Sequence, residues 1–554
     1  MAAEDRLMRV WDAAAQIIKL EGAEQLFCFP STPLIDACAA LGLRPFVCRQ
    51  ERVGVGMADG FARVSAGRRL SVFAMQSGPG SENAFPGLAT AFADSTPVLV
   101  LPMGLPKERA SLQPNFDSAR AFGGVSKSFE RVTGPELLVP AMRRAIHALR
   151  SGRPGPAVVE IPGDVGQLEA GDISAYRQVP WVLAAAADDD VDRAAQAMLR
   201  AERPLIMAGA GVLLAEASNE LRAVAELLGA PVVTTTGGKS AFPEDHELSL
   251  GAAGLTMGDH ALEFIQDCDL VFAVGASLTR GSTVTANLPP GKVLVHATND
   301  PRDIGKSYFV DHALLGDARL VLTQLLSALK DRVLPASTRA AGAAIGASRQ
   351  RWLDDWQPRL RSEAMPINPY RVISDFMLEV DPDGAIVTHD AGGPRDQLLP
   401  FYRAGAPHGY LGWGKSHALG TGVGLMMGAK RAAPEKLCVH FMGDAAFGMT
   451  GLDLETSVRT GLPTLSIVFK NSTMAVERNS LVRSQELYRA RDLGGDYCGI
   501  ARALGLYAER VDQPGEIRPA LRRARQATEN GQTALLELIT ADETDFSNFQ
   551  ALSK

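Results

Sequence analysis

Four shortages in this sequence each remove a class of protein. Cysteine is scarce: Cys28, Cys38, Cys48, Cys268, Cys438 and Cys498 are spread through apolar surroundings with no C-x-x-C pair, which argues against a disulfide framework and against zinc. They read as buried free thiols. Positive charge is not in excess: 56 Lys and Arg against 63 Asp and Glu leave a net charge of −7, so there is no general attraction to nucleic-acid phosphates or anionic lipid. No segment reaches the ~18 uninterrupted apolar residues of a membrane span, and charges run throughout MAAEDRLMRVWDAAAQIIKLEG, which has no continuous secretory core. The expectation is a cytoplasmic protein with neither nucleic acid nor membrane as a partner. Aromatics are only 6%, while 54 Gly and 33 Pro imply the tight connections and close backbone approaches of an α/β enzyme with loop-borne sites.

Apolar material, by contrast, is plentiful. With 46% hydrophobic and 21% charged residues, a chain of 554 residues is globular, and at ~100–200 residues per domain it should fold as three or four units. Short apolar runs alternate with helix-length periodic segments, the pattern of parallel sheets covered by helices. AEQLFCFP, RPFVCRQE, LSVFAMQSG, PVLVLPMG and AVVEIPGD form a first series; RPLIMAGAGV, APVVTTTGG, CDLVFAVGAS and KVLVHATND a second; GAIVTHDAGG, LCVHFMGDAA, PTLSIVFKNS and TALLELITAD a third. The predicted fold class is α/β, with three doubly wound parallel-sheet domains at 1–185, 186–335 and 371–554 and a partly helical linker at 336–370.

In such domains ligands gather beyond the carboxyl ends of the strands. LCVHFMGDAAFG ends in Gly443-Asp444, and the next run, LPTLSIVFKNST, ends in Asn471. One βαβ unit then carries a carboxylate and an amide oxygen on adjacent strand ends, and oxygen-only ligation suits Mg²⁺ with its retained water and phosphate oxygens. Gly443 and the small Ala445 and Ala446 would let backbone N–H groups approach a diphosphate. Either residue alone reads as a helix cap or a turn residue. The pair favours a metal.

These segments resemble the thiamine-diphosphate-dependent family typified by acetolactate synthase, pyruvate decarboxylase and benzoylformate decarboxylase. The family's Gly-Asp-Gly to Asn-Asn motif is here Gly-Asp-Ala at 443–445 and Lys-Asn at 470–471, so both ends depart from it. The resemblance assigns the metal to Asp444, Asn471 and the backbone carbonyl of Thr473, and sets Met474 beside the cofactor. RQERVGVGMADGFARVSAG and FAMQSGPGSENAFPGLATAFADSTPVLVL are similar to the family's pyrimidine-binding segments almost position for position. Glu51 then matches the acid that bonds the aminopyrimidine ring nitrogen. Its proton drives the exocyclic amine towards the imine, which removes the proton from the thiazolium carbon. HALGTGVGLMMGAK resembles the helix that puts a bulky apolar residue, here Leu419, under the bent cofactor, and Gly392 and Gly393 fall where the family holds diphosphate, with Pro394 replacing a frequent polar donor.

The resemblance further implies a pyrimidine-binding first domain and a diphosphate-binding third domain that meet between copies, hence a homodimer or dimer of dimers. The middle domain is similar to the acetolactate-synthase type, whose branch holds FAD there; a related branch holds ADP or CoA. GAGV at 209–212 is too short for a dinucleotide fingerprint. Thr32 and Gln76 align with substrate-facing positions, and Gln76 can orient substrate without acid–base work. Glu477 corresponds to the acidic residue of the pyruvate decarboxylase pattern, where it could protonate or deprotonate the reacting group; paired with Arg478 it would be a surface residue instead. Lys415, His417 and His389 read as surface or supporting residues, with Lys415 a candidate for a carboxylate. The implied activity is decarboxylation or carboligation of a 2-oxo acid with Mg²⁺ and thiamine diphosphate. The alternatives are a 2-hydroxyacyl-CoA lyase or oxalyl-CoA decarboxylase type, and a non-catalytic cofactor-binding protein.

Overall fold

The computed structural model describes residues 8–110, 112–330 and 338–552; the first residues of the N-terminal segment and the head of the expected linker lie outside the described residues. Three six-stranded sheets, parallel at every pairing, account for the three series of apolar runs. The first contains β1 (Gln25–Cys28), β2 (Arg44–Val47), β3 (Val72–Met75), β4 (Leu99–Gly104), β5 (Ser128–Arg131) and β6 (Ala157–Pro162), in the order β2-β1-β3-β4-β6-β5. The second contains β7 (Pro204–Ala208), β8 (Val232–Thr234), β9 (Ser249–Ala252), β10 (Leu270–Val274), β11 (Val293–Thr298) and β12 (His312–Leu315), ordered β12-β11-β10-β7-β8-β9. The third contains β13 (Ala385–His389), β14 (Tyr410–Leu411), β15 (Leu437–Gly443), β16 (Leu465–Lys470), β17 (Tyr507–Val511) and β18 (Ala534–Ile539), ordered β14-β13-β15-β16-β18-β17. The fold is therefore α/β, with helices supplying the parallel crossovers.

By internal contacts the chain divides into two compact units. One comprises Met1–Val182, Val423–Pro434 and Thr450–Leu462; the other comprises Leu183–Gly422, Glu435–Met449 and Pro463–Lys554. In the first unit the helix Glu51–Val64 lies against residues of the helix Thr421–Ala432 so closely that side chains are excluded. A Cβ on Gly428 would stand 2.0 Å from the Met57 carbonyl oxygen, and one on Gly60 2.1 Å from that of Leu425. Glycine is therefore dictated by backbone contact, and the first helix is fixed along its length.

In the second unit the helix Thr338–Leu360 fills most of the expected linker. It is docked, since Trp352 stacks on Phe401 at 4.7 Å and donates to the Ser547 hydroxyl at 2.9 Å. All six cysteines are buried and unbridged, and burial pushes the thiols of Cys28, Cys38 and Cys498 up to about 12. Among the described residues no helix is long and apolar enough to cross a membrane.

Candidate active site

The residues nominated from the first sheet converge on one edge. Thr32, Glu51 and Gln76 follow the carboxyl ends of β1, β2 and β3, which are adjacent, with Cys28 registered on both Val47 and Ala74. Glu51 opens its helix and is 2% exposed. Burial raises its carboxyl above the usual range, opposed by its own backbone N–H and by a hydrogen bond from the Asn83 side chain. Gly80 makes room for it: a Cβ there would lie 3.3 Å from Glu51 Oε1 and 2.8 Å from Gln76 Cγ. Thr32 is buried, its hydroxyl accepting from the Leu34 N–H at 3.4 Å; Gln76 is half-buried.

In the second unit four adjacent strands present the other candidates. Leu419 follows β14, Gly392 and Gly393 follow β13, Asp444 follows β15 and Asn471 follows β16. The register Gly443↔Phe469 sets the last two side by side. Asp444 Oδ2 accepts the N–H groups of Asn471 at 3.1 Å and Ser472 at 3.3 Å, while Oδ1 accepts the Tyr497 hydroxyl at 2.9 Å. Burial raises the Asp444 carboxyl, and these three donors pull it back. Asn471 Oδ1 accepts the Thr473 N–H at 3.1 Å, which winds the loop so that Thr473 stays beside Asn471. Gly392 adopts φ 93°, a left-handed conformation that favours glycine, and Gly443 has only Pro394 Cγ, at 4.0 Å, near the position of a Cβ. Ala446 is buried, Met474 is 38% exposed and Leu419 is half-buried.

Two family models match at the ends of the chain: the "Thiamine pyrophosphate enzyme, N-terminal TPP binding domain" over residues 8–121 and the "C-terminal TPP binding domain" over 390–538. The central-domain model of the same family matches 191–325. The acetolactate synthase large subunit of Corynebacterium glutamicum is 30% identical over 90% of this chain and 81% of its own length. The chain belongs to the thiamine pyrophosphate enzyme family. A probable acetolactate synthase large subunit of Methanocaldococcus jannaschii is 29% identical over 93% of this chain and 90% of its own. The glyoxylate carboligase of Escherichia coli O157:H7 is 27% identical over 94% and 90%. The protein is thus a thiamine-pyrophosphate-dependent enzyme of the decarboxylase, carboligase or lyase type, acting on small molecules.

As a thiamine pyrophosphate enzyme it departs from the family pattern at positions whose surroundings explain the change. Lys470, in place of the first Asn, donates to Glu537 Oε1 at 2.7 Å across the β16–β18 pair. Glu537 is fully buried and also accepts the Cys498 N–H, so the Lys470 charge is spent inside the sheet. Ala445 is the second residue of the helix Asp444–Thr450 and is not among the residues of positive φ; the conformational freedom of a glycine is not needed there. Pro394 falls in the first turn of the helix Gly393–Phe401, where a missing N–H leaves no helical bond unmade.

Glu477 is exposed on a short 3₁₀ turn, and Arg478 bonds the Asp542 carboxylate instead, at 2.5 Å. His389 is fully buried, stacked on Trp413 at 5.4 Å, and so is not at the surface. His417 meets the Thr283 hydroxyl at 2.5 Å.

Sequence reasoning passed over several residues that organise these edges. Tyr497 and Asn83 bond Asp444 and Glu51. Asp390, fully buried, accepts the N–H groups of Ala391 at 2.9 Å, Gly420 at 2.9 Å and Gly422 at 3.3 Å. It thereby ties the Gly392 loop to the one bearing Leu419. An Asp directly after a strand was the available signal.

The central sheet has the outward-running strand order of dinucleotide-binding folds. At its switch point the pairing of β7 with β10 runs on past the strand ends, with Gly209 N–H donating to Val274 O and Gly211 N–H to Gly275 O, both at 2.9 Å. A Cβ on Gly209 would stand 2.3 Å from Gly275 O.

Proposed function

We propose that this enzyme uses Mg²⁺ with its thiamine diphosphate to decarboxylate a 2-oxo acid and to protonate the product or join it to a second carbonyl compound, as an acetolactate synthase-like carboligase. The observation that carries the reading is the meeting of Asp444 with Asn471, 27 residues apart in sequence, on the edge that also holds Gly392 and Gly443. An acid, an amide oxygen and the Thr473 carbonyl form the hard oxygen set that Mg²⁺ takes while keeping water and phosphate oxygens. Among the described residues no cluster of three or more His, Cys, Asp or Glu offers a metal another site.

When bound, the cofactor would supply a nucleophilic ring carbon and a cationic ring able to take up the electron pair released from the substrate. This chain's residues provide the rest. Glu51, raised by burial, keeps a proton to higher pH than an exposed glutamate and holds it against the aminopyrimidine nitrogen. Asp444, Asn471 and Thr473 hold the cation, Gly392, Gly393, Gly443, Ala445 and Ala446 leave room for diphosphate, and Leu419 and Met474 face the rings. Thr32 and Gln76 orient the substrate, and Glu477 moves a proton at the reacting group. As the family resemblance implies, the reading includes a homodimer, or a dimer of dimers, whose sites each take Glu51 from one copy and Asp444 from another. The domains are then 1–185 for pyrimidine, 186–335 central and 371–554 for diphosphate.

The test is CO₂ release and product identity for pyruvate, glyoxylate and larger 2-oxo acids, with Mg²⁺ and thiamine diphosphate added. Release from at least one, lost on chelation, is expected. Aldehyde release from 2-hydroxyacyl-CoA esters in place of CO₂ release would replace the reading.

A further inference from the structure

The helix that opens at Glu51 has no cap of its own. Gln50 stands at the N-cap with extended backbone and makes no side-chain capping bond, although Ser, Thr, Asp or Asn is the usual solution. One residue before that N-cap the chain is held from elsewhere: Asp453 Oδ1, 404 residues further along, takes the Arg49 N–H at 2.8 Å. Asp453 is 3% exposed, its carboxylate oriented by the Thr456 hydroxyl at 3.1 Å. The short helix behind it, Leu454–Thr460, grips the same stretch at three more points. Arg459 donates to Val47 O at 2.8 Å, Arg44 donates to Thr460 O at 2.9 Å, and Arg49 pairs with Glu455 at 3.4 Å. On the opposite side the first turn of the Glu51 helix rests on the Phe73 ring and the Cys48 sulfur, where a Cβ on Gly54 would approach within 2.4 Å and 2.6 Å.

We propose that Asp453 is a positioning residue for Glu51: by holding the Arg49 N–H it fixes the backbone on which the acid stands, and so sets its approach to the cofactor's ring nitrogen. The inference rests on the assignment of Glu51 given above. A charged acceptor makes a stronger bond to a backbone N–H than a neutral one. Of the bonds around it, those of Arg459 and of the Arg49 side chain are exposed and the Arg44–Thr460 bond is part-buried like this one; this one alone holds a backbone N–H two residues from the acid, on a carboxylate that is itself buried. A catalytic carboxyl displaced by about 1 Å loses rate by roughly 100-fold, so a loosened turn is felt in chemistry before it is felt in folding.

The test compares Asp453→Ala, Asp453→Asn and Glu51→Gln with the wild type by two readouts. The first is amide hydrogen exchange of peptides covering 47–54 in cofactor-free protein. The second is the rate at which the cofactor's thiazolium proton exchanges with solvent in the loaded enzyme. D453A should expose the 47–54 amides and slow proton exchange roughly 10- to 100-fold, with thiamine diphosphate affinity within about threefold of wild type. D453N, which keeps an oxygen acceptor, should recover most of both. Wild-type exchange in D453A, or D453N at the alanine level, would overturn the proposal. Should D453A not fold, Thr456→Val takes its place, with a several-fold slowing expected and a wild-type rate contrary. Wild-type proton exchange in E51Q would instead remove the Glu51 assignment and leave the clamp without a catalytic role.

Discussion

The first and third sheets are built alike, with the founding strand second from one edge and the last two strands exchanged at the other, and both carry a buried carboxyl beyond a strand end. Burial raises both carboxyls, but they differ in the donors that oppose it. Glu51 has its own backbone N–H and one side-chain donor, Asn83. Asp444 has the Tyr497 hydroxyl and two backbone N–H groups drawing it towards ionisation. A carboxyl left short of donors keeps a proton to give; one surrounded by donors and paired with an amide oxygen is prepared for a cation. The scaffold is common to both sheets; the donors around the two carboxyls differ.

The comparison is most directly broken at Glu51. E51Q cannot transfer a proton and should lower turnover by roughly 10²- to 10⁴-fold with an unchanged melting temperature; residual activity near wild type, in a steady-state assay, would make the two carboxyls equivalent after all. The helix contact comes next. Gly→Ala in a helix normally stabilises by about 1 kcal/mol, but G428A must push the Met57 carbonyl aside and should destabilise by about 3 kcal/mol. G448A, whose Cβ would meet nothing within 4 Å, should keep the ordinary sign. Denaturant unfolding of the pair decides it.

A pH effect of similar or smaller size attaches to Asp453, whose carboxyl burial raises to about 6. The folded chain binds that proton more readily than the unfolded one, so its contribution to stability is complete below about pH 4 and is lost as pH rises through about 6. D453N lacks that loss. Its stability relative to wild type should climb between pH 4 and 7 by up to about 3 kcal/mol, and a constant difference across that range would place the carboxyl in a solvated setting.

The same contrast between regions explains what the sequence made legible. Every strand with a neighbour on both sides, from LFC of β1 to ALLEL of β18, is an apolar run that announces itself, because parallel strands are buried on both faces. The strands that escape, β5, β9, β12, β14 and β17, are all at sheet edges. Half-exposure removes the signal in β5, β12 and β17, as in SFER and YAERV, whereas β9 and β14 are buried but are only the short SLGA and YL. Asp444, Asn471 and Glu51 could be nominated because their neighbours are motif residues. Asp453 and Tyr497 were not, since each acts on backbone or side chains far away in sequence, and such a partner is invisible until the chain folds; Asp390 offered its place directly after a strand, but not its partners Gly420 and Gly422. Lys470 looked like damage to a motif for the same reason: Glu537, which justifies it, is 67 residues away.

The central claim, that two compact units of one chain furnish the acid and the metal ligands of a site shared between copies, is tested most directly by complementation. E51Q and Asp444→Asn chains, each inactive alone, are co-expressed and assayed as a mixed population. A shared site predicts recovery of about a quarter of wild-type activity, because half of the randomly formed dimers are mixed and each of these holds one intact site. Activity no higher than that of either parent would contradict it, and would put Glu51 and Asp444 in a site made by a single chain.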